Sequence, residues 1–412
     1  MKEPKIRFKG FSGEWEETTF GNRLLSIQTG TNLLGSTDNK GIPLLKMGNI
    51  QRGYFSFDKL ERLDESVTPA VNCIAKYGDF YYNTRNTLEL VGKGATWMQK
   101  KGIFAFNSNI ARCSLDGVNT IFFNYLYNTR NVIKQVQARA KGTTSVAAVY
   151  QRDLDSIEFS LPSVDEQKAL GSFFQHLDSL IQSTTKKIES LKQVKAASLQ
   201  SMFPQEGETT PRVRFKGFEG EWEKVKFGEI AKISRGLTYS PFNLRDKGVR
   251  VLRSSNIDED TFVISENDVF VNKECINIEY AQEGNILVTA ANGSPRLVGK
   301  HAIIKNIGAN PTVVGGFMLL ISSNESAFLN ASMSSCWYNN FLKVGVAGGN
   351  GSIGNLSKQD LEDTELLFPN KKDERRAIAS YFTNLDRQIN LQTQRLEKLK
   401  QIKAACLDNM FV

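Results

Sequence analysis

The chain has 412 residues, 40% of them apolar and 26 of them Phe, enough for two or three buried cores and too apolar for wholesale disorder. Its 52 Lys and Arg against 44 Asp and Glu give a formal charge of +8, which fits a nucleic-acid partner without requiring one. Scattered cysteines, a charged opening and the lack of any long apolar run argue against a disulfide scaffold, a signal peptide and a bilayer span; a soluble cytoplasmic protein is expected.

In chain order, a first module covers 1–160 and opens with Arg7–Gly21, RFKGFSGEWEETTFG. Within it Phe80–Tyr82 reads as a short strand and Phe122–Ala138 as a helix. A long helical segment, 161–203, begins at the Leu161-Pro162 pair, with Ser163 and Glu166 spaced as a capping box. Its apolar residues Phe174, Leu177, Ile181, Ile188, Leu191, Val194 and Met202 step mostly by threes and fours, a coiled-coil seam with polar Thr184 in it. The linker 204–213 contains PQEGETTP, whose two prolines and glycine end the helix. A second module, 214–368, opens with RFKGFEGEWEKVKFG and carries strand-like runs at Ile286–Thr289 and Phe317–Ile321. The last segment, 369–412, is a second helix with its seam at Phe382, Leu385, Ile389, Leu396, Leu399, Ile402 and Met410, and Gln392 at the polar position.

The chain is thus written twice. The two openings agree at eleven of fifteen positions at an offset of 207 (7 + 207 = 214), and Asp165–Phe203 matches Asp373–Phe411 at nineteen of 39 at an offset of 208. Between these ends the modules diverge, apart from echoes such as Ile42–Ile50 against Val249–Ile257 and Leu-Val-Gly-Lys at Leu90–Lys93 and Leu297–Lys300. Frames that agree around interiors that differ suggest one fold used for two targets. Helices of ~39 residues at 1.5 Å rise are roughly 58 Å long, longer than one small module needs, so the expectation is that they pair with each other, antiparallel. Duplicated halves on such a pair acquire a pseudo-twofold axis. Duplex DNA has the same symmetry, with major-groove faces ~34–36 Å apart at one-turn spacing.

These features resemble the specificity subunits of type I restriction–modification systems: the paired RFKGF-x-GEWE openings, the Asp-Glu entry to each helix, Leu-Asp-x-x-Ile at Leu177–Ile181, and Leu-Lys-Gln-Val-Lys-Ala-Ala at Leu191–Ala197 with its partner Leu399–Ala405. The resemblance covers essentially the whole chain. It implies an α+β protein of two pseudo-twofold-related target-recognition domains joined by two long antiparallel coiled-coil helices. Each domain would read one half of a bipartite DNA site, and the helices would set the spacer and dock two modification subunits, which restriction subunits join. S-adenosylmethionine, ATP and Mg would belong to those partners, as would the methyltransferase, nuclease and ATPase activities. Departures are small: Gln167 stands where the second helix has Arg375.

No catalytic constellation is expected in this chain. There is no Pro-Pro for a base-gripping methyltransferase motif, Gly293–His301 is one residue too long for a P-loop and ends in His, and two histidines do not make a zinc site. A stand-alone methyltransferase is therefore disfavoured, and a coiled-coil scaffold for protein partners is the other alternative. For DNA contact, the turn-rich basic stretches Asn83–Lys93 and Asn292–Lys300 offer Arg85, Asn86 and Lys93, and Asn292, Arg296 and Lys300, because Arg and Asn suit base edges and cations suit phosphates. Lys46 and the aligned Arg253 are further candidates, as are Thr143 and Ser352 in the Gly-rich loops Lys141–Ser145 and Gly348–Ser352. The seam residues expected to join the helices are Leu177, Ile181, Ile188, Leu191, Leu385, Ile389, Leu396 and Leu399.

Overall fold

Short, mostly apolar runs such as Phe80–Asn83 and Ile286–Thr289 are buried along their whole length, as interior strands must be. The computed structural model describes residues 3–142, 145–345 and 354–412. In the first half, four antiparallel strands stand in the order Leu24–Thr29, Ile110–Leu115, Phe80–Asn83, Gly94–Thr96. The second half repeats that order with Lys232–Arg235, Met318–Ser322, Ile286–Thr289 and His301–Ile303. A second sheet in each half contains one parallel pair, Pro43–Leu45 with Ala105–Phe106 and Val249–Leu252 with Thr312–Val314.

The helix expected at Phe122–Ala138 is two helices, Thr120–Tyr127 and Arg130–Arg139. Asn128 breaks it: its amide donates to Gly94 O and Asn124 O, tying the bend to the sheet edge. Ser326–Met333 and Cys336–Gly345 occupy the matching place in the second half. Phe123 and Tyr127 drive the packing, each ring 4.9 Å from that of Phe80.

The long helices run Val164–Met202 and Lys372–Asn409. Ser163 accepts from the Glu166 amide at 3.3 Å, but the reciprocal half of the expected capping box is missing because the Glu166 carboxylate is claimed elsewhere. Arg7 grips it with Nε at 2.8 Å and Nη2 at 2.7 Å, while Arg7 Nη1 donates to Gly13 O at 2.6 Å. The second half repeats this fork, Arg214 on Glu374 at 2.6 and 2.8 Å and on Gly220 O at 2.6 Å. The matched openings are clamps on the starts of the matched helices. Gln167 and Arg375 also fill one place with different chemistry: Gln167 accepts from the Asn119 amide and donates to Gly117 O, whereas Arg375 pairs with Glu325 at 3.0 Å.

The chain divides into unit 1, Met1–Thr185 with Gln394–Val412, and unit 2, Lys186–Thr393. In unit 1 the start of the first long helix packs antiparallel to the end of the second, with Leu170, Phe174 and Leu177 clustered with Leu399, Leu407 and Met410. In unit 2, Leu191, Leu199 and Met202 cluster with Ile378, Phe382 and Leu385. The helix ends enter aromatic cores. Phe411 sits 5.5 Å from Phe122 and 5.6 Å from Phe174, and Phe203 sits 5.9 Å from Trp222 and 5.8 Å from Phe382.

Leu177 and Leu385 are buried; Ile181, Ile188, Leu191, Ile389, Leu396 and Leu399 are half-buried. Val194 and Ile402, read as seam positions, are instead 46% and 39% exposed. Lys195 and Lys403 take their place, laying apolar stems along the stripe and reaching carboxylates on the facing helix. Lys195 meets Asp386 at 2.8 Å in unit 2, and Lys403 meets Asp178 at 2.5 Å in unit 1. Burial works to lower the Lys195 pKa, but Asp386 and Asp260 outweigh it and the net shift is upward. Among the described residues no helix is long and apolar enough to cross a membrane.

Candidate nucleic-acid interface

Three stretches far apart in sequence meet in unit 1. The strand Arg85–Asn86 pairs with Ala147–Ala148, which in turn pairs with Lys141–Gly142, so the Asn83–Lys93 loop lies beside both of these short strands. The third stretch is the turn after Pro43–Leu45, where the Arg52 guanidinium donates to Glu89 O at 3.2 Å and the Gly53 amide to Gly94 O at 2.9 Å. Unit 2 gathers the counterparts. Ala291–Asn292 pairs with Gly354–Asn355, and the Asn292 amide group donates to Ser254 Oγ at 3.0 Å. Thr143 and Ser352 lie outside the described residues.

The shared Leu-Val-Gly-Lys turn has a steric cause. Gly92 has φ +71° and Gly299 φ +82°, and a Cβ would fall 2.3 Å from Val136 Cγ1 or 2.5 Å from the Leu342 methyls. The loop can pass that close to a helix only without a side chain. The turn aims its lysines differently: Lys93 is buried, its ammonium donating to Gln51 Oε1 at 2.9 Å, while Lys300 is half-buried. Burial, then the neighbouring Arg52, push the Lys93 pKa down.

The turns bearing Lys46 and Arg253 are built alike around a buried asparagine. Asn49 Oδ1 accepts from the Lys46 amide at 2.9 Å, and Asn256 Oδ1 accepts from the Arg253 amide at 2.8 Å. Their Nδ2 groups donate to Ser56 O and Val263 O, seven residues on in each case. Lys46 is engaged by Glu61 at 2.5 Å, whereas the Arg253 side chain is exposed.

Arg85 and Arg296 are exposed, and Asn86 and Asn292 are half-buried on the gathered edges. Exposed guanidinium forks can hold guanine edges or phosphates, and edge asparagines suit adenine. Two residues escaped the sequence reading. Tyr54 is 61% exposed in the turn beside Arg52, and Phe317, 72% exposed, receives the Ala290 and Ala291 amides on its carbonyl, which brings it beside Asn292. An aromatic inside an apolar run, such as Phe317, reads as core, and nothing local marks it otherwise.

The domain family described as the type I restriction modification DNA specificity domain matches this chain twice, over residues 25–193 and 219–401. A protein of Methanocaldococcus jannaschii, provisionally named the type I restriction enzyme MjaX specificity subunit, is 22% identical over 408 residues, covering 95% of this chain and 91% of its own. The type I restriction enzyme EcoKI specificity subunit of Escherichia coli is 22% identical over 383 residues, covering 87% and 80%. In fold, the chain is similar to the crystal structure of the type I restriction–modification system S subunit from M. genitalium, with a TM-score of 0.66, 14% identity and coverage of 100% and 99%. With both halves matched by that domain, the chain belongs to the family of type I restriction–modification DNA specificity proteins.

Proposed function

We propose that this chain is the DNA-reading component of a type I restriction–modification complex, each unit contacting one half of a bipartite, asymmetric site. One observation carries the reading: matching frames (the Arg forks, the Asn-centred turns, the Gly turns) present different side chains on their gathered edges. Arg85 and Asn86 stand in unit 1 where Ala291 and Asn292 stand in unit 2, with Arg296 further along that loop. Different edge chemistry on one frame selects different bases. Arg85, Asn86, Asn292, Arg296, Lys300 and Arg253 contact DNA in this proposal, with Lys93 and Lys46 nearer the backbone. The long helices fix the spacing and dock two modification subunits, to which restriction subunits are added. S-adenosylmethionine, ATP and Mg act in those partners, in the cytoplasm, and this chain performs no bond-making step.

The test is co-expression with modification and restriction subunits, followed by base-resolved mapping of N6-methyladenine in host DNA. A two-part motif with a fixed unspecified gap is expected, and Arg85→Ala or Arg296→Ala should relax one base position in one half only. Each lost bidentate contact is worth about 1–3 kcal/mol of discrimination. Methylation that survives both replacements with its motif unchanged would remove these arginines from the interface, and a single undivided motif would remove the two-unit reading.

A further inference from the structure

The turn Gln51-Arg52-Gly53 and its counterpart Asp258-Glu259-Asp260 hold the same place in the repeat (51 + 207 = 258) and carry opposite charge. In unit 2 the acidic turn is latched to a helix: Glu259 pairs with Lys192 at 3.0 Å and Asp260 with Lys195 at 3.2 Å. In unit 1 the turn folds onto the Asn83–Lys93 loop instead, through the Arg52–Glu89 O, Gly53–Gly94 O and Lys93–Gln51 bonds. Two cations therefore share one corner of the gathered face. Lys93 is 6% exposed and Arg52 is half-buried, and among the described residues neither has an ion-pair partner. The Glu89 carboxylate favours the Arg52 charge from beyond ion-pair range. Burial lowers the pKa of both, and Arg52 lowers that of Lys93 further. A lysine ammonium has three donors, of which Gln51 takes one; an arginine has five, of which Glu89 O takes one. Desolvated cations side by side without an ion-pair partner are costly unless an anion completes them.

We propose that Arg52 and Lys93 form a seat for one backbone phosphate of duplex DNA, present in unit 1 and replaced in unit 2 by the latched acidic turn. The proposal rests on the DNA-reading function above. A phosphate offers two non-bridging oxygens, one for the guanidinium fork and one for the ammonium, in charge-assisted bonds. Seated there, it would fix the register of the duplex against Arg85 and Asn86 without itself carrying sequence information. The two halves of the target then differ in how they are held as well as in what is read.

The experiment is fluorescence anisotropy of a labelled random-sequence duplex with the full chain, across a series of salt concentrations. Each phosphate contact contributes about 0.9 to the slope of log K against log salt; because the seat needs both cations, Arg52→Gln or Lys93→Gln should flatten the slope by about that amount, and the two together by no more. Lys93→Arg should retain it. Over a four-fold salt range, either loss makes the change in affinity about 3.5-fold smaller. Thermal melting checks folding, and should Lys93→Gln fail to fold, Arg52→Gln decides. Salt-dependent binding whose slope is unmoved by the replacements overturns the seat and leaves DNA reading intact. A wild-type chain with no salt-dependent binding overturns both. Inorganic phosphate at matched ionic strength should leave the wild-type melting temperature unchanged; a stabilisation abolished by Arg52→Gln would assign the corner to a free anion and overturn the DNA assignment.

Discussion

Removing Arg214 should cost unit 2 more than any exposed ion pair could. Glu374 is 1% exposed and receives two guanidinium bonds from Arg214, so Arg214→Met leaves a buried carboxylate without its cation. Breaking a buried pair in this way costs about 3–5 kcal/mol. Glu374 lies in the first turn of Lys372–Asn409, where the helix dipole still favours a negative charge by about 1 kcal/mol, which leaves a net of about 2–4 kcal/mol. At 2–4 °C per kcal/mol for a unit of this size, calorimetry should show the unit 2 transition falling by roughly 4–16 °C. Arg214→Met with Glu374→Leu should recover most of the loss, since an apolar pair leaves no charge to solvate. Arg7→Met should act likewise on unit 1 through Glu166. The reasoning fails if the single variant melts within about 1 °C of the wild type, or if the double variant is no more stable than the single.

Gly92→Ala and Gly299→Ala should each destabilise their unit by at least ~1–3 kcal/mol, because a Cβ there meets a helix side chain at a positive φ; urea midpoints unchanged by either would contradict the steric account of the shared turn. Acid should weaken unit 2 selectively. Burial lowers the His301 pKa, with a partly opposing bond from Asn330, so the folded state takes up its proton later than the unfolded chain does. Its contribution is then complete above the unfolded value near 6.5 and is lost as pH falls below it, whereas His176, the other histidine, is exposed on a helix in unit 1. Melting from pH 7.5 down to 5.5 should show unit 2 falling more steeply than unit 1, and His301→Gln should remove the difference; equal slopes in both units would refute it.

Much of the frame was legible because it is written twice at nearly constant offset, which located the openings, the long helices and their Met-Phe ends. What connects them was not. Arg7 and Glu166 are 159 residues apart, and only topology brings the fork to the carboxylate. Lys195 and Lys403 carry no apolar signal, because a charged head hides the packing of its stem, so apolar spacing draws the seam through Val194 and Ile402 instead. The edge proposed to meet DNA could be read from the sequence only in part. Turn composition picked out Asn83–Lys93 and Asn292–Lys300, but pairing with Ala147–Ala148 and Gly354–Asn355 is a two-residue match with no sequence signature. The reversal of charge between Arg52 and Glu259 is visible in the letters, yet it acquires meaning only once each turn is seen docked against a different neighbour.

The aromatic plugs also set an order of events at the ribosome. Unit 1 is not one continuous stretch: Phe411, which packs against Phe122 and Phe174, is synthesised 226 residues after Thr185 (411 − 185 = 226). At 5–20 residues per second that interval is roughly 10–45 s. Through it the nascent unit 1 exposes the socket around Trp15, Phe122 and Phe174, a hydrophobic surface for chaperones or for misassembly. Unit 2 contains Phe203 ahead of the residues that surround it, so its socket can close as it forms. The half made first is the half completed last.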